Sequence, residues 1–282
     1  MVGLSLMPDL GFARAAVPLF AEDAVDVVEW SFDMGWGPSG VPAWLSQVLD
    51  DYSDHGRLDG HGVSFSLLSE HPRQEAWLQR LDVELRRRPY RRVSEHVGFM
   101  AAGSVYRSTP LPMPSCPEVL RLGRSQLDRI AERVGSPVGL ENLATSLGPD
   151  DALQQGELIA AVLAPADGWM VLDLHNLYCQ AHNFGLDVAD LLGLYPLDRV
   201  RELHVSGGSW WRPRSGRRTL RRDTHDGLVP PEVMDALRVA LERCPSVDTV
   251  ILERIGSSFD GSDDEDFRTE FRAIRSLCGA LV

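Results

Sequence analysis

Short apolar runs recur along the chain, and between them apolar residues return every three to four positions. Eight runs read as strands: residues 2–7, 25–32, 58–65, 91–99, 137–143, 169–176, 200–207 and 249–255. Met170-Val171-Leu172 and Val250-Ile251-Leu252 are apolar at consecutive positions, as in strands covered on both faces of a parallel sheet. Trp77, Leu78, Leu81 and Leu85 mark a helix over 75–88, and Leu120, Leu127, Ile130 and Val134 mark one over 119–134. Residues 231–244 and 264–277 read the same way, with Pro230-Pro231 suited to a helix start. Strands alternating with helices predict an α/β fold, a closed (β/α)8 TIM barrel rather than an open sheet. Residues 212–222 are a basic, glycine-containing insertion expected to be a loop, and 257–266 an acidic loop before the last helix.

Length adjusts this picture little. The 282 residues exceed one barrel of roughly 250 residues only slightly, so one domain over residues 1–282 is expected. The net charge of −13 opposes general nucleic-acid binding, because contact with phosphates needs a basic surface. Cys116, Cys179, Cys244 and Cys278 form no CxxC pair, which removes a zinc-ribbon or redox motif. No secretory signal pattern opens the chain and no stretch reaches the roughly 18 apolar residues of a membrane span. A cytoplasmic protein without membrane partners is the expectation.

In such a barrel the chemistry sits at the C-terminal ends of the strands. Strand two ends near Glu29, strand three in His61, strand four in Glu95-His96, strand five in Glu141-Asn142 and strand six in Asp173, His175 and Asn176. Strand seven carries His204, the loop after it Asp223-Thr224-His225-Asp226, and strand eight Glu253. A lone histidine at a strand end is more often a satisfied rim residue than a ligand. So many ionisable groups brought together are costly to bury without compensating charge, and divalent cations would supply it. Imidazole and carboxylate suit zinc, iron or manganese. Asp223 and His225, two apart, share a face if the segment is extended.

Other residues read more plainly. His55 and His71 fit solvated loops, and Cys179 fits a small buried hydrophobe. His182 fits either an exposed position or one near the site. Trp210-Trp211, followed by Arg212 and Arg214, suit aromatics packed on the rim or a substrate-gripping lid. Gly207-Gly208 suit a turn or an anion cradle.

The ordered motifs HGVS, SEH, LEN, LDLHN, LHVSGG, DTHD and LER resemble the multinuclear non-haem iron-dependent oxidative enzymes, the family that includes the methanobactin biosynthesis oxidase. The resemblance covers nearly the whole chain, from about Val2 to Glu253. It implies a sugar-isomerase-like barrel with two or three iron ions, as Fe(II) or Fe(III), and O2 as co-substrate. It further implies a ribosomally made precursor peptide oxidised at Cys, Asp, Asn or an aromatic side chain, and a small partner protein that captures the leader peptide. The metal ligands it implies are His61, His96, Glu141, Asp173, Asn176, His204, Asp223, His225 and Glu253, with Glu141, Asp173 and His204 as the catalytic group and Glu141 bridging two irons. The chain departs from the family's pattern at His175, where an Asn is usual, at Phe184, and at Gly207-Gly208-Ser209, where a His is usual. The same ligand order is similar to the zinc endonuclease IV barrels. A zinc or manganese phosphoesterase or a sugar isomerase is therefore the rival reading, and a metal-binding scaffold without turnover a third.

Overall fold

The computed structural model of the protein describes residues 1–212 and 218–280. Its strands are β1 (Val2–Ser5), β2 (Val27–Ser31), β3 (Leu58–Gly62), β4 (Val93–His96), β5 (Phe99–Ala102), β6 (Val105–Leu111), β7 (Gly139–Glu141), β8 (Trp169–Asp173), β9 (Val200–Ser206), β10 (Trp210–Trp211), β11 (Leu220–Arg221) and β12 (Thr249–Glu253). Its α-helices are α1 (Leu10–Ala21), α2 (Ala43–Asp54), α3 (Arg73–Arg87), α4 (Pro117–Val134), α5 (Pro149–Leu163), α6 (Leu174–Phe184), α7 (Val188–Leu192), α8 (Pro231–Arg243) and α9 (Asp264–Ala280).

Eight strands close a barrel in the order β1-β12-β9-β8-β7-β4-β3-β2, and each neighbouring pair is parallel. The expected (β/α)8 barrel is the observed fold. Each expected strand is present, and each helix named from its periodicity is present within a few residues. Helices cover the outside with their apolar stripes: Leu78 and Leu81 on α3, Leu127 and Ile130 on α4, and Phe267, Phe271 and Ile274 on α9 are fully or almost fully buried. Burying each such side chain contributes about 1.5–3 kcal/mol. Pro117 opens α4, and Gly135 closes it at φ 74° in the left-handed region, donating its N–H to the Ala131 carbonyl. No helix among the described residues is long and apolar enough to cross a membrane.

The strands are shorter than their polar ends suggest. The run over 169–176 leaves the sheet at Asp173, whose carboxylate accepts the Asn176 backbone N–H at 2.6 Å and starts α6 without a connecting loop. His175 and Asn176 therefore lie on the first turn of a helix, not on strand six as expected. The run over 91–99 divides. β4 ends at His96, and the chain then enters the antiparallel β5–β6 hairpin. The insertion is not wholly a loop either, because Trp210–Trp211 pairs with Leu220–Arg221 as a short ribbon. Arg214 lies outside the described residues.

Register brings the strand ends together. His96 on β4 is level with Glu141 on β7, and Asp173 on β8 with His204 on β9. The barrel interior beneath is polar. Arg92 lies 3.5 Å from Asp59 and 3.7 Å from Glu202, and its guanidinium sits 5.1 Å over the Trp169 ring. Residues two apart on a strand share a face, so Asp59 lies below His61 and Glu202 below His204.

Candidate metal centre

Among the described residues four nests of possible ligand atoms occur; one, of Glu29, Glu202 and His204, lies on the Nε2 side of His204, and the other three adjoin one another at the barrel mouth. In the first of these three, His61 Nε2 and His96 Nε2 lie 3.1 Å and 3.2 Å from the same oxygen, Glu141 Oε2. In the second, Glu141, Asp173 and His204 converge, and in the third Asp173, His225 and Glu253. Glu141 thus belongs to the first two nests and Asp173 to the last two. His204 Nδ1 stands 3.8 Å from Glu141 Oε1 and 3.5 Å from Glu253 Oε2. Asp223 Oδ1 is 2.7 Å from His225 Nε2, which is itself 3.8 Å from Glu253 Oε2. Asn176 reaches the group too, its amide nitrogen donating to Glu141 Oε1 at 3.3 Å and to the Asn142 carbonyl at 2.9 Å. The nine residues that the resemblance implies lie together at the barrel mouth.

Neighbours set the direction of two of the rings, those of His61 and His204. The Ser94 hydroxyl, 2.8 Å from His61 Nδ1, turns His61 Nε2 toward the cavity. His204 Nε2 donates to Glu202 Oε1 at 3.0 Å and also faces Glu29 at 3.2 Å, which leaves Nδ1 for the cavity. A carboxylate behind an imidazole in this way fixes its tautomer and raises its basicity. Asn142 holds Asp173 from both sides, accepting its backbone N–H and donating to its carbonyl. Glu202 was not anticipated, although the alternation Glu202-Leu203-His204 places it on the same face as His204.

The electrostatics are strained without cations. Glu29, Glu141, Asp173, Glu202 and Glu253 are buried together, with the Asp223 side chain 27% exposed at the rim. Asp173 Oδ2, Asn176 Oδ1, His204 Nδ1 and Glu253 Oε2 are buried without a hydrogen bond. Each such atom costs about 1–3 kcal/mol, and more when charged. Protons fill the gap in the metal-free protein. Burial, then the fields of Asp223, Glu141 and Glu253, push the Asp173 carboxyl well above its usual range. For His61, burial works downward, but the Glu141 hydrogen bond and the Glu29 field prevail and hold it up at about 10. Burial works upward on Glu141, yet His96, His61 and His204 bring it down to about 2. Orphaned imidazole nitrogens and carboxylate oxygens facing one cavity fit divalent metal ions, which would take the place of these protons.

The remaining candidates separate cleanly. Glu95 points away from the cavity, to the outer face of β4, where burial raises its pKa well above the usual range. His175 stands behind the cluster, its Nδ1 3.3 Å from Asp223 Oδ1. Cys179 is fully buried beside it, and burial raises its thiol pKa. His182 Nε2 donates to the Thr219 carbonyl and its ring meets the Trp210 ring edge-on, outside the cluster. His55 is exposed and His71 half-buried. A Cβ at Gly207 would strike the Leu228 and Gly227 carbonyls, and one at Gly208 the Arg222 carbonyl and the His175 ring. The two glycines therefore let the loop carrying Asp223 and His225 pack onto the barrel mouth. His225 itself adopts φ 50°, left-handed for a non-glycine residue.

Replacing Glu202 with glutamine keeps the shape behind His204 and removes the charge. Metal affinity is expected to fall about 10–100-fold, read by competition against a chromophoric chelator. Unchanged affinity would mean that Glu29 alone orients the ring.

Two cavity lobes meet above the nests. One, of about 420 Å³, is lined by Met7, Asp9, Met34, Val63 and Ile255. The other, of about 390 Å³, is lined by Leu143, Thr145, Asn183, Trp211 and Arg221. Both also touch His96, Thr109, Pro110, Asp223 and Thr224, so the end of the β5–β6 hairpin forms a ridge between them.

Known proteins match this arrangement at two levels. The barrel is similar to the zinc-bound IolI protein (TM-score 0.62, 13% identity, 100% of this chain and 99% of that one). It is also similar to endonuclease IV of Thermus thermophilus (TM-score 0.59, 17% identity, 99% of each chain). At those identities the likeness is one of fold. In sequence, a UPF0276 protein of Acaryochloris marina is 31% identical over 214 residues, covering 75% of this chain and 74% of that protein. One of Acinetobacter baylyi is 28% identical over 247 residues, covering 87% and 83%. Residues 22–277 match the family described as RiPP precursor modification enzyme MbnB/TglH/ChrH, where RiPP denotes a ribosomally made, post-translationally modified peptide, and the chain belongs to that family.

Proposed function

We propose that this protein is a single-domain metalloenzyme that oxidises a side chain of a ribosomally made precursor peptide, using iron and O2. The observation that carries the reading is the row of three nests joined by Glu141 and Asp173, beneath a two-lobed cavity. His61, His96 and Glu141 would hold one ion. Glu141, Asp173 and His204 would hold a second. Asp173, Asn176, Asp223, His225 and Glu253 offer ligands for a third. Bound iron would supply redox chemistry with O2, which zinc lacks. The protein's own part is placement. Glu202 and Ser94 set the rings of His204 and His61, and Asn142 fixes Asp173. The lobes hold the peptide beside the nests, and close positioning of this kind accounts for much of a catalytic rate. Glu141, Asp173 and His204, at the middle nest, form the catalytic group. A Cys, Asp, Asn or aromatic residue is the proposed target, and a leader-binding protein the proposed partner.

The test is anaerobic loading with Fe(II), then addition of O2 and a precursor peptide encoded beside the gene, with and without a neighbouring candidate partner protein. Oxygen uptake together with a mass change confined to one peptide residue is expected. A fully iron-loaded protein that consumes no O2 and leaves the peptide unchanged would overturn the reading. Cleavage of an abasic-site duplex, or turnover of a ketose with zinc or manganese, would replace it with the hydrolytic or isomerase alternative.

A further inference from the structure

The lobe beside the β10–β11 ribbon holds a guanidinium that the metal nests leave unused. Arg221 on β11 is 6% exposed. Its backbone is held in both directions by Asn183, whose Oδ1 accepts the Arg221 N–H at 2.8 Å and whose amide nitrogen donates to the Arg221 carbonyl at 2.9 Å. Its Nε donates to His175 Nε2 at 3.0 Å, which places the ring proton on Nδ1, facing Asp223. The rings of Trp210 and Tyr178 lie 5.0 Å and 5.8 Å from the guanidinium carbon.

Other buried arginines of this chain have carboxylate partners: Arg88 meets Asp50 and Glu84, Arg92 meets Asp59 and Glu202, and Arg254 meets Asp263. Among the described residues no carboxylate ion-pairs with Arg221, and its two terminal nitrogens make no hydrogen bond. Residues 213–217 read Pro-Arg-Ser-Gly-Arg and offer no acidic side chain. Asp223 reaches Arg221 only through the His175 ring, so the outer edge of the guanidinium has no anion against it among the described residues and is suited to one arriving from outside. Arg221 lines the lobe that also touches His96, Asn176 and Asp223, so an anion bound there would lie close to the nests. Exposed Arg212, Arg218 and Arg222 lie near Arg221 in the sequence, and would draw an anion toward this region.

We propose that Arg221 forms a carboxylate subsite, which anchors either the C-terminal carboxylate of the substrate or an acidic side chain next to the residue being modified. The proposal rests on the peptide-modifying reading and names what that site recognises. A guanidinium presents two parallel N–H groups to a carboxylate, while neutral Asn183 and Thr145 offer hydrogen bonds beside it.

The probes are N-acetyl-trialanine as the free acid, the same peptide as the C-terminal amide, and N-acetyl-Ala-Asp-Ala-amide, each titrated into the metal-loaded full chain by calorimetry. At least one carboxylate probe should bind about tenfold or more tighter than the neutral amide. Preference for the free acid identifies the terminal carboxylate, and preference for the Asp peptide identifies the side chain. Arg221→Gln should abolish the preference and Arg221→Lys should retain part of it, with metal content and melting temperature confirming that both variants fold. Equal binding of all three probes to the native chain overturns the subsite and leaves peptide modification standing. A preference that persists in Arg221→Gln also overturns it, because the metal ions would then be holding the carboxylate. Acid-selective, Arg221-dependent binding in a protein that modifies no precursor peptide supports the subsite and overturns the peptide reading.

Discussion

Glu141→Gln is expected to lose at least one metal equivalent per chain and to bring peptide modification down to background. Both carboxylate oxygens are engaged. Oε2 stands between His61 Nε2 and His96 Nε2, while Oε1 faces His204 Nδ1 and accepts from Asn176. Glutamine preserves volume, but its amide nitrogen cannot ligate, so one of the two adjoining nests is broken. Loss of a supporting carboxylate costs about 10–100-fold in affinity, and loss of a shared ligand should cost more. Elemental analysis and peptide mass spectrometry read the two effects, with circular dichroism confirming the fold. A variant with its full metal complement and native turnover would rule out a bridging role for Glu141.

Removing metal should also unsettle the fold. Ligands that bind only the folded state stabilise it by about 4 kcal/mol at a free concentration a thousandfold above Kd. For a chain of this size that corresponds to a fall in melting temperature on the order of 10 °C after chelation. The gap should depend on pH. Metal ions bind deprotonated imidazole, and the stripped protein holds protons on His61, up at about 10, and on His204 and His225, whose pKa values the neighbouring carboxylates raise in spite of burial. Protons therefore compete with metal ions, and apparent affinity climbs as pH rises toward that value. Melting curves of loaded and stripped protein should lie further apart at pH 8 than at pH 6. Coincident curves at both pH values would separate metal binding from folding.

Much of this is legible in the residue order. Strands such as β8 and β12 announce themselves as apolar runs, whereas β3 and β4 carry polar residues into the barrel interior and show themselves less clearly. Their C-terminal boundaries are harder, since alternation carries the pattern past the last paired residue. Asp173 shows why: it ends β8 and caps α6 at once, so no turn residue punctuates the change. The β5–β6 hairpin was missed, although Gly103-Ser104 between Ala102 and Val105 is a two-residue turn signal. Strand position points to the barrel mouth and to a wider set that includes Glu29, Glu95 and His175, and the family resemblance narrows it to His61, His96, Glu141, Asp173, Asn176, His204, Asp223, His225 and Glu253. The residues behind them were less visible, because Ser94, Asn142 and Glu202 matter only through the atoms they face. Arg221 was hidden inside a segment read as a loop.

The double engagement of Asp173 has a consequence for which ions the centre can admit. One of its oxygens accepts the backbone N–H of Asn176 at 2.6 Å, and the other, Oδ2, is the one left buried without a partner. Wrapping an ion from both Asp173 oxygens, as carboxylates do around calcium, which gathers six to eight oxygen ligands in flexible shells, would compete with that hydrogen bond. Its neighbours His204 and His225 add nitrogen donors, which hard alkaline-earth ions accept poorly. Sorting of this kind is done by coordination number and donor softness, and it is written into the start of a helix.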